Sequence, residues 1–239
     1  MANISSLEWN SSWQLDYSDA GAAAAKFKEG VDALIDVRNA CIGEGSGILE
    51  HVNCGKILGN AVVGYYNYLR DAHGTAGGCI LIVQKAYGAM AVAGKANGDN
   101  FPSIIDSYNP MGMEGEFKLG NRVNAQDIQW VVNEIGNGKA TGVIETAVNA
   151  ISAIKSASCI EMPEDAKKVL DDACRALTET LEGMKQVRTN LQSSANDIQA
   201  ELAAATTALN SNDSKLAAAV DTETDKANAM RATTASTAK

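Results

Sequence analysis

The sequence predicts an all-α fold: an elongated antiparallel helical bundle or coiled coil carrying a small irregular insert. Three observations lead there. Apolar residues recur at steps of three and four over most of the chain. Only three prolines interrupt its 239 residues. Aromatic residues make up 5% of it, while Ala, Thr, Asn and Ser are plentiful. A sheet sandwich draws more heavily on Val, Ile, Tyr and Phe, whereas small residues let helices approach closely.

Residues 1–18 read as a polar N-terminal arm with Trp9 and Trp13 four positions apart. They predict either a helical turn docked by its indoles or a mobile arm. Residues 19–97 hold the N-terminal helices. Asp19 is a helix cap, since its carboxylate can accept from the free N–H groups of a first turn. Ala24, Phe27, Val31, Leu34, Arg38 and Cys41 then trace one face, and the glycines of "GEGSG" are expected to end the helix. A second helix starts near Asn53, with Leu58, Val62, Tyr65, Leu69, Ala72, Ala76, Cys79, Val83, Ala86 and Met90 on its apolar face. Gly74, Gly77 and Gly78 each weaken a helix by about 1 kcal/mol relative to Ala, which predicts a break or kink at His73–Gly78.

Residues 98–138 read as a protruding, loop-rich insert with a short hairpin around "MGMEGEFKLG". It ends in a helix capped by Asn124, with Ile128, Val131, Val132 and Ile135 inward. Residues 139–221 carry the C-terminal helices. Val143, Ile144, Ala147, Val148, Ile151 and Ile154 form the first, and "SASCIEMPED" interrupts it. Pro163 suits a first helical position, and Glu164 and Asp165 suit the positive end of the dipole.

The strongest signal follows. Leu170, Leu177, Met184, Leu191, Ile198 and Ala205 form one heptad series; Cys174, Leu181, Arg188, Ala195, Leu202 and Leu209 form the other. This seam is the candidate packing and assembly surface. Arg188 is its one polar member. Its stem can lie on the seam with the head in solvent, or its charge can fix register or partner. The periodicity fades after "NSND", and residues 222–239 read as a mobile tail.

The formal net charge is −9 and no run of Lys or Arg occurs, which excludes a nucleic-acid surface and weakens an anionic-membrane one. Five separated cysteines without a C-x-x-C predict buried thiols rather than a disulfide framework. His51 and Cys54 make an H-x-x-C fragment without the further ligands a zinc site needs. The glycines at 43, 45 and 47 lack the preceding strand of a phosphate loop, and read as a flexible turn. Asp171–Asp172 and Glu164–Asp165 fit a solvated helix face and an acidic first turn. No inward Glu and Glu-x-x-His pattern of a bundle-core metalloenzyme is present. Thus no catalytic, metal or cofactor residues are predicted.

The N-terminus has neither a basic start nor an apolar core, so no cleaved signal is predicted. The most apolar stretch, residues 76–94, is interrupted by Gln84 and Lys85, and no integral membrane span is expected.

The order of "FPSIIDSYNPMGMEG", "LGNRVNAQDIQWVVNEIGNGKATG" and a long C-terminal helix resembles the filament and needle-tip proteins of type III secretion systems. Pro102, Ile105, Asp106 and Tyr108 agree loosely with the P-x-x-[IV]-[IV]-x-[YF] turn of that family. The resemblance covers residues 80–200. Five cysteines, the "EMPED" interruption and the polar tail depart from it. The helical proteins of type VII systems, with WXG and LXG domains, are a second resemblance through Trp9 and Trp13, although no W-x-G occurs.

Both resemblances imply a non-enzymatic, mainly helical protein made in the cytoplasm and secreted or displayed without a cleaved signal. Its expected partners are further copies of itself or other secretion-apparatus proteins, engaged through the seam, and Leu181→Asp is expected to abolish assembly. The alternatives are a type VII-secreted targeting domain and an α-helical membrane-acting toxin using residues 76–94.

Overall fold

Asp19 starts the first helix as its spacing predicts: its Oδ1 accepts from the Ala22 N–H at 3.0 Å and its carbonyl from Ala23. The computed structural model describes residues 7–50, 55–104, 112–113 and 125–237. The expected hairpin lies outside them apart from 112–113, as do the Asn124 cap, His51, Cys54, Ile105, Asp106 and Tyr108. The helices are α1 (Ala20–Glu50), α2 (Gly55–Ala96), α3 (Ala125–Gly136), α4 (Lys139–Ser156) and α5 (Glu164–Thr237). Two short strands, β1 (Asp16–Tyr17) and β2 (Ile160–Glu161), pair antiparallel. The fold is predominantly all-α. The chain divides into two units, Met1–Ser193 and Ser194–Lys239.

In the first unit, α1, α2, α4 and the opening of α5 pack as a four-helix bundle. Phe27 meets Tyr87, and Arg38 donates to the His73 carbonyl, so α1 and α2 run antiparallel. Gly30 faces Ile154, and the Ala140 N–H reaches Glu44, which sets α4 antiparallel to α1. Lys155 pairs with Asp171 and Glu145 with Lys185, setting α5 antiparallel to α4. Cys79 lies against Ala173 and Tyr68 against Gly183, setting α5 antiparallel to α2 as well. Every apolar residue assigned above to the inner faces of α1 and α2 is buried. Their removal from water is the main favourable term in folding.

Several expectations are corrected. Helix α1 runs through "GEGSG" to Glu50, and α2 runs unbroken through His73–Gly78. Packing overrides propensity in α1. A Cβ at Gly45 would overlap the Met113 methyl and press on Tyr66, and one at Gly47 would stand 3.2 Å from the Trp130 ring. Those glycines are seats for large side chains rather than turn residues.

The expected protrusion of residues 98–138 falls in large part outside the described residues, but the described residues near both ends of the segment lie on the bundle. Helix α2 ends near the start of α1, whereas α4 begins beside Glu44 near the end of α1. Phe101 packs on Tyr17 and Tyr87 at the first end, and Ile104 is buried. Trp130 sits on α1 at the other end, and Ile128 and Ile135 are fully buried.

The described part of the arm, from Leu7 on, is docked rather than free. Leu15 is fully buried, and Trp9 is buried with its ring edge-on to Trp13 at 5.1 Å. β1 joins it to the α4–α5 connection, reinforced by Ser18 N–H donating to the Cys159 carbonyl at 3.1 Å. Pro163 caps α5, one position earlier than expected, its carbonyl accepting from Ala166 and Lys167. At the far end, α5 continues as helix to Thr237, past the point where the periodicity was expected to fade.

Candidate assembly surface

The predicted seam splits in two. Leu170, Leu177, Leu181, Met184, Leu191 and Ala195 are buried, and Cys174 and Arg188 are half-buried. Ile198 is half-buried; beyond it Leu202 is 42% and Leu209 63% exposed. Leu216 and Val220, at 65% and 56%, extend the same face and were missed by the seam. The signal for them was present: Leu216 follows Leu209 by seven residues and Val220 follows by four more.

The buried stretch fits its own bundle closely. Gly183 lies under the Tyr68 ring, which any Cβ would overlap. Lys185 reaches Glu145 at 2.7 Å, and the Cys174 thiol lies 3.6 Å from the Ser152 hydroxyl and 3.7 Å from the Val148 carbonyl. Thr180, fully inside, bonds the Ala176 carbonyl at 2.9 Å and so leaves no orphan hydroxyl.

Arg188 has a local role that heptad spacing did not reveal. The Tyr65 hydroxyl donates to Glu44 Oε1 at 2.5 Å, and Glu44 Oε2 accepts from the Ala140 N–H at 3.2 Å. One carboxylate of α1 thus holds α2 and the first turn of α4, where a negative charge is favoured. Burial, then the Glu44 charge, push the Tyr65 hydroxyl far above its ordinary pKa, and Arg188 opposes that shift. Its guanidinium therefore bears on this polar clasp inside its own chain.

Cys41 and Cys79 are buried packing residues. Burial, with lesser contributions from neighbouring charge, pushes Cys41 and Cys79 up to about 12, where a nucleophilic thiolate is not formed at neutral pH. Cys41, Cys79, Cys159 and Cys174 are unpaired thiols. Among the described residues no cluster of three His, Cys, Asp or Glu could hold a metal ion. A half-open hollow of about 510 Å³ beside Glu44 is lined by Asn39, Ala40, Gly43, Asn137 and Lys139. Asn39, Gly43, Asn137 and Lys139 are exposed, so it is a surface dimple rather than an enclosed pocket.

The second unit has a different chemistry. Its hydroxyls turn back on their own helix: Thr206, Thr207, Ser214, Thr222 and Thr224 each bond a carbonyl four residues earlier. Leu202, Leu209, Leu216 and Val220 meanwhile form a stripe at intervals of seven, seven and four, all in water. An amphipathic helix derives most of its stability from burying such a face. Comparison with known proteins gives no family model, curated protein or solved structure that matches the chain.

Proposed function

We propose that the chain is a non-enzymatic assembly protein that joins other molecules through the distal part of α5, in a specialised bacterial secretion apparatus of filament or needle-tip type. The observation that carries the assembly reading is the exposed Leu202–Leu209–Leu216–Val220 stripe on one face of the distal helix. The order of the helices, with a long one at the C-terminal end, supports the secretion setting. Sedimentation velocity of the whole chain tests it: the wild type is expected to shift to larger species as concentration rises, and Leu209→Asp with Leu216→Asp to remain monomeric with an unchanged bundle melt. A wild type that stays monomeric at every concentration sinks the reading. Recovery of the unprocessed chain outside its native cell tests the export setting separately.

A membrane-acting role has one observation behind it. The stretch Ala61–Ala96 is long and apolar enough to cross a membrane, but half of its most apolar window is already buried in the bundle. Ile82 is among the buried residues, so Ile82→Asp would disrupt the fold. Leu81, 53% exposed, is the position whose charge would discriminate in a vesicle-leakage assay.

A further inference from the structure

The outer face of α2 has the same spacing as the distal stripe and the opposite character. On α2, Gly74, Leu81, Lys85, Gly88, Val92 and Lys95 follow at intervals of seven, four, three, four and three. On α5, Leu202, Leu209, Asp213, Leu216, Val220 and Glu223 follow at those same intervals. Every one of these twelve positions is exposed. Where the stripe has Leu202 and Leu216, the α2 face has glycines. A Cβ added at either glycine would meet nothing within 4 Å, so both positions are open to an approaching side chain, and Leu81 and Val92 are exposed on the same face. Where the stripe has Asp213 and Glu223, α2 has Lys85 and Lys95.

The charge difference extends along both helices. α2 carries Lys56, Arg70, Lys85 and Lys95 against Asp71 as its one acid. Residues 198–228 carry Glu201, Asp213, Asp221, Glu223 and Asp225 against Lys215 and Lys226. Among the described residues, Arg70, Lys85, Lys95, Asp213, Asp221 and Asp225 form no ion pair. Two copies of the acidic stripe repel each other, so the stripe is poorly suited to pair with itself, whereas the basic face of α2, open at Gly74 and Gly88, complements it in sign. Each face is about 30 Å long at the helical rise of about 1.5 Å per residue.

We infer that the outer face of α2, from Gly74 to Lys95, is the docking surface for the distal α5 stripe of a second copy of this chain. The inference rests on the assembly reading and supplies its geometry. The two patches differ, so the contact is heterologous: each copy offers one stripe and one receiving face, and addition continues head to tail rather than stopping at a dimer. Side-chain burial comes from Leu202 and Leu216 settling over Gly74 and Gly88 and from Leu209 and Val220 meeting Leu81 and Val92; the lysine–carboxylate contacts at the rim set specificity and rate more than affinity.

A charge swap on the whole chain tests it. Lys85→Glu with Lys95→Glu, and separately Asp213→Lys with Glu223→Lys, are expected to weaken concentration-dependent growth in sedimentation velocity at least tenfold each. An equimolar mixture of the two is expected to regain it, because each then finds the opposite charge on the other. The substitutions are all on exposed positions, so unchanged circular-dichroism melts establish that folding is intact. Wild-type growth that both variants retain, or a mixture that fails to recover, overturns the α2 docking surface while leaving assembly through α5 standing. A wild type that never grows overturns both. Binding of the wild type to anionic vesicles that is lost in Lys85→Glu with Lys95→Glu, with growth in solution unaffected, assigns the α2 face to a membrane and also overturns the inference.

Discussion

The buried and exposed stretches of α5 share one helix and one heptad rhythm, yet their surroundings are opposite. From Leu170 to Leu191 the apolar face is buried in the bundle, with Gly183 beneath the Tyr68 ring and the Arg188 charge acting on Tyr65. From Leu202 to Val220 the same kind of face is exposed, and Thr206, Thr207 and Ser214 bond carbonyls of their own helix. Periodicity reports that a helix has a face to bury, while burial itself depends on what lies across from it. The first stretch is buried within its unit and the second exposes its apolar residues, and this difference makes the second stretch the candidate contact with another molecule.

The largest expected break in that comparison is Leu181→Asp. The sequence pattern treated it as a probe of assembly, but Leu181 is 4% exposed inside the bundle. A carboxylate there loses the leucine's packing and is buried without a partner, which costs upward of about 4 kcal/mol, a large part of a domain's stability. The expected result is an unfolded or molten first unit by near-ultraviolet dichroism. A cooperative melt within a few degrees of wild type would show that α5 does not pack on the bundle as described.

High pH separates the two stretches next. The folded pKa of Cys41 and Cys79 is raised from 9.0 to about 12, with burial the largest cause. A thiol whose folded pKa lies above its unfolded one contributes stability that is whole below the unfolded value and is lost as pH rises through the folded value. The melting temperature of the bundle is therefore expected to fall between about pH 9 and 12. Cys41→Ala with Cys79→Ala should flatten this fall, though with some loss of packing at neutral pH. Residues 194–237 hold no cysteine, so their helical signal should not follow that transition. An identical pH profile in the double variant would remove the thiols as its source.

How much of this was legible in the sequence differs by element. The inner faces of α1 and α2 could be read from their spacing because the bundle interior imposes the helical period directly. The cap at Asp19 was legible because it is a local contact. The continuation of α1 through Gly43, Gly45 and Gly47 was not, because its cause is Met113, Tyr66 and Trp130, which are distant in sequence. Docking of the arm was one of two readings its indoles allowed, but its strand was hidden: two residue pairs, Asp16–Glu161 and Tyr17–Ile160, carry no alternation long enough to recognise. The seam itself could be read, while its division after Ala195 depended on where the other helices end. Arg188 shows the same limit, since its clasp joins four elements that the heptad count treats separately.

The smallest effect is also the most direct comparison. Leu191 and Leu209 are the same residue on the same helix, the first fully buried and the second 63% exposed. Leu191→Ala removes packed methyl groups and leaves a space the bundle closes only in part, so about 2–5 kcal/mol should be lost from the melt of the first unit. Leu209→Ala removes groups already in water and should change that melt by no more than about 0.5 kcal/mol. Its effect belongs to association instead. Burial of the missing methyl groups no longer contributes when a second copy docks, so growth should require roughly tenfold more protein, consistent with about 1.4 kcal/mol per tenfold. Thermal melting at low concentration and sedimentation at high concentration read the two quantities separately. A Leu209→Ala chain that melts like Leu191→Ala would place residue 209 in a packed interior. One that melts and associates like wild type would leave the exposed stripe with no part in assembly.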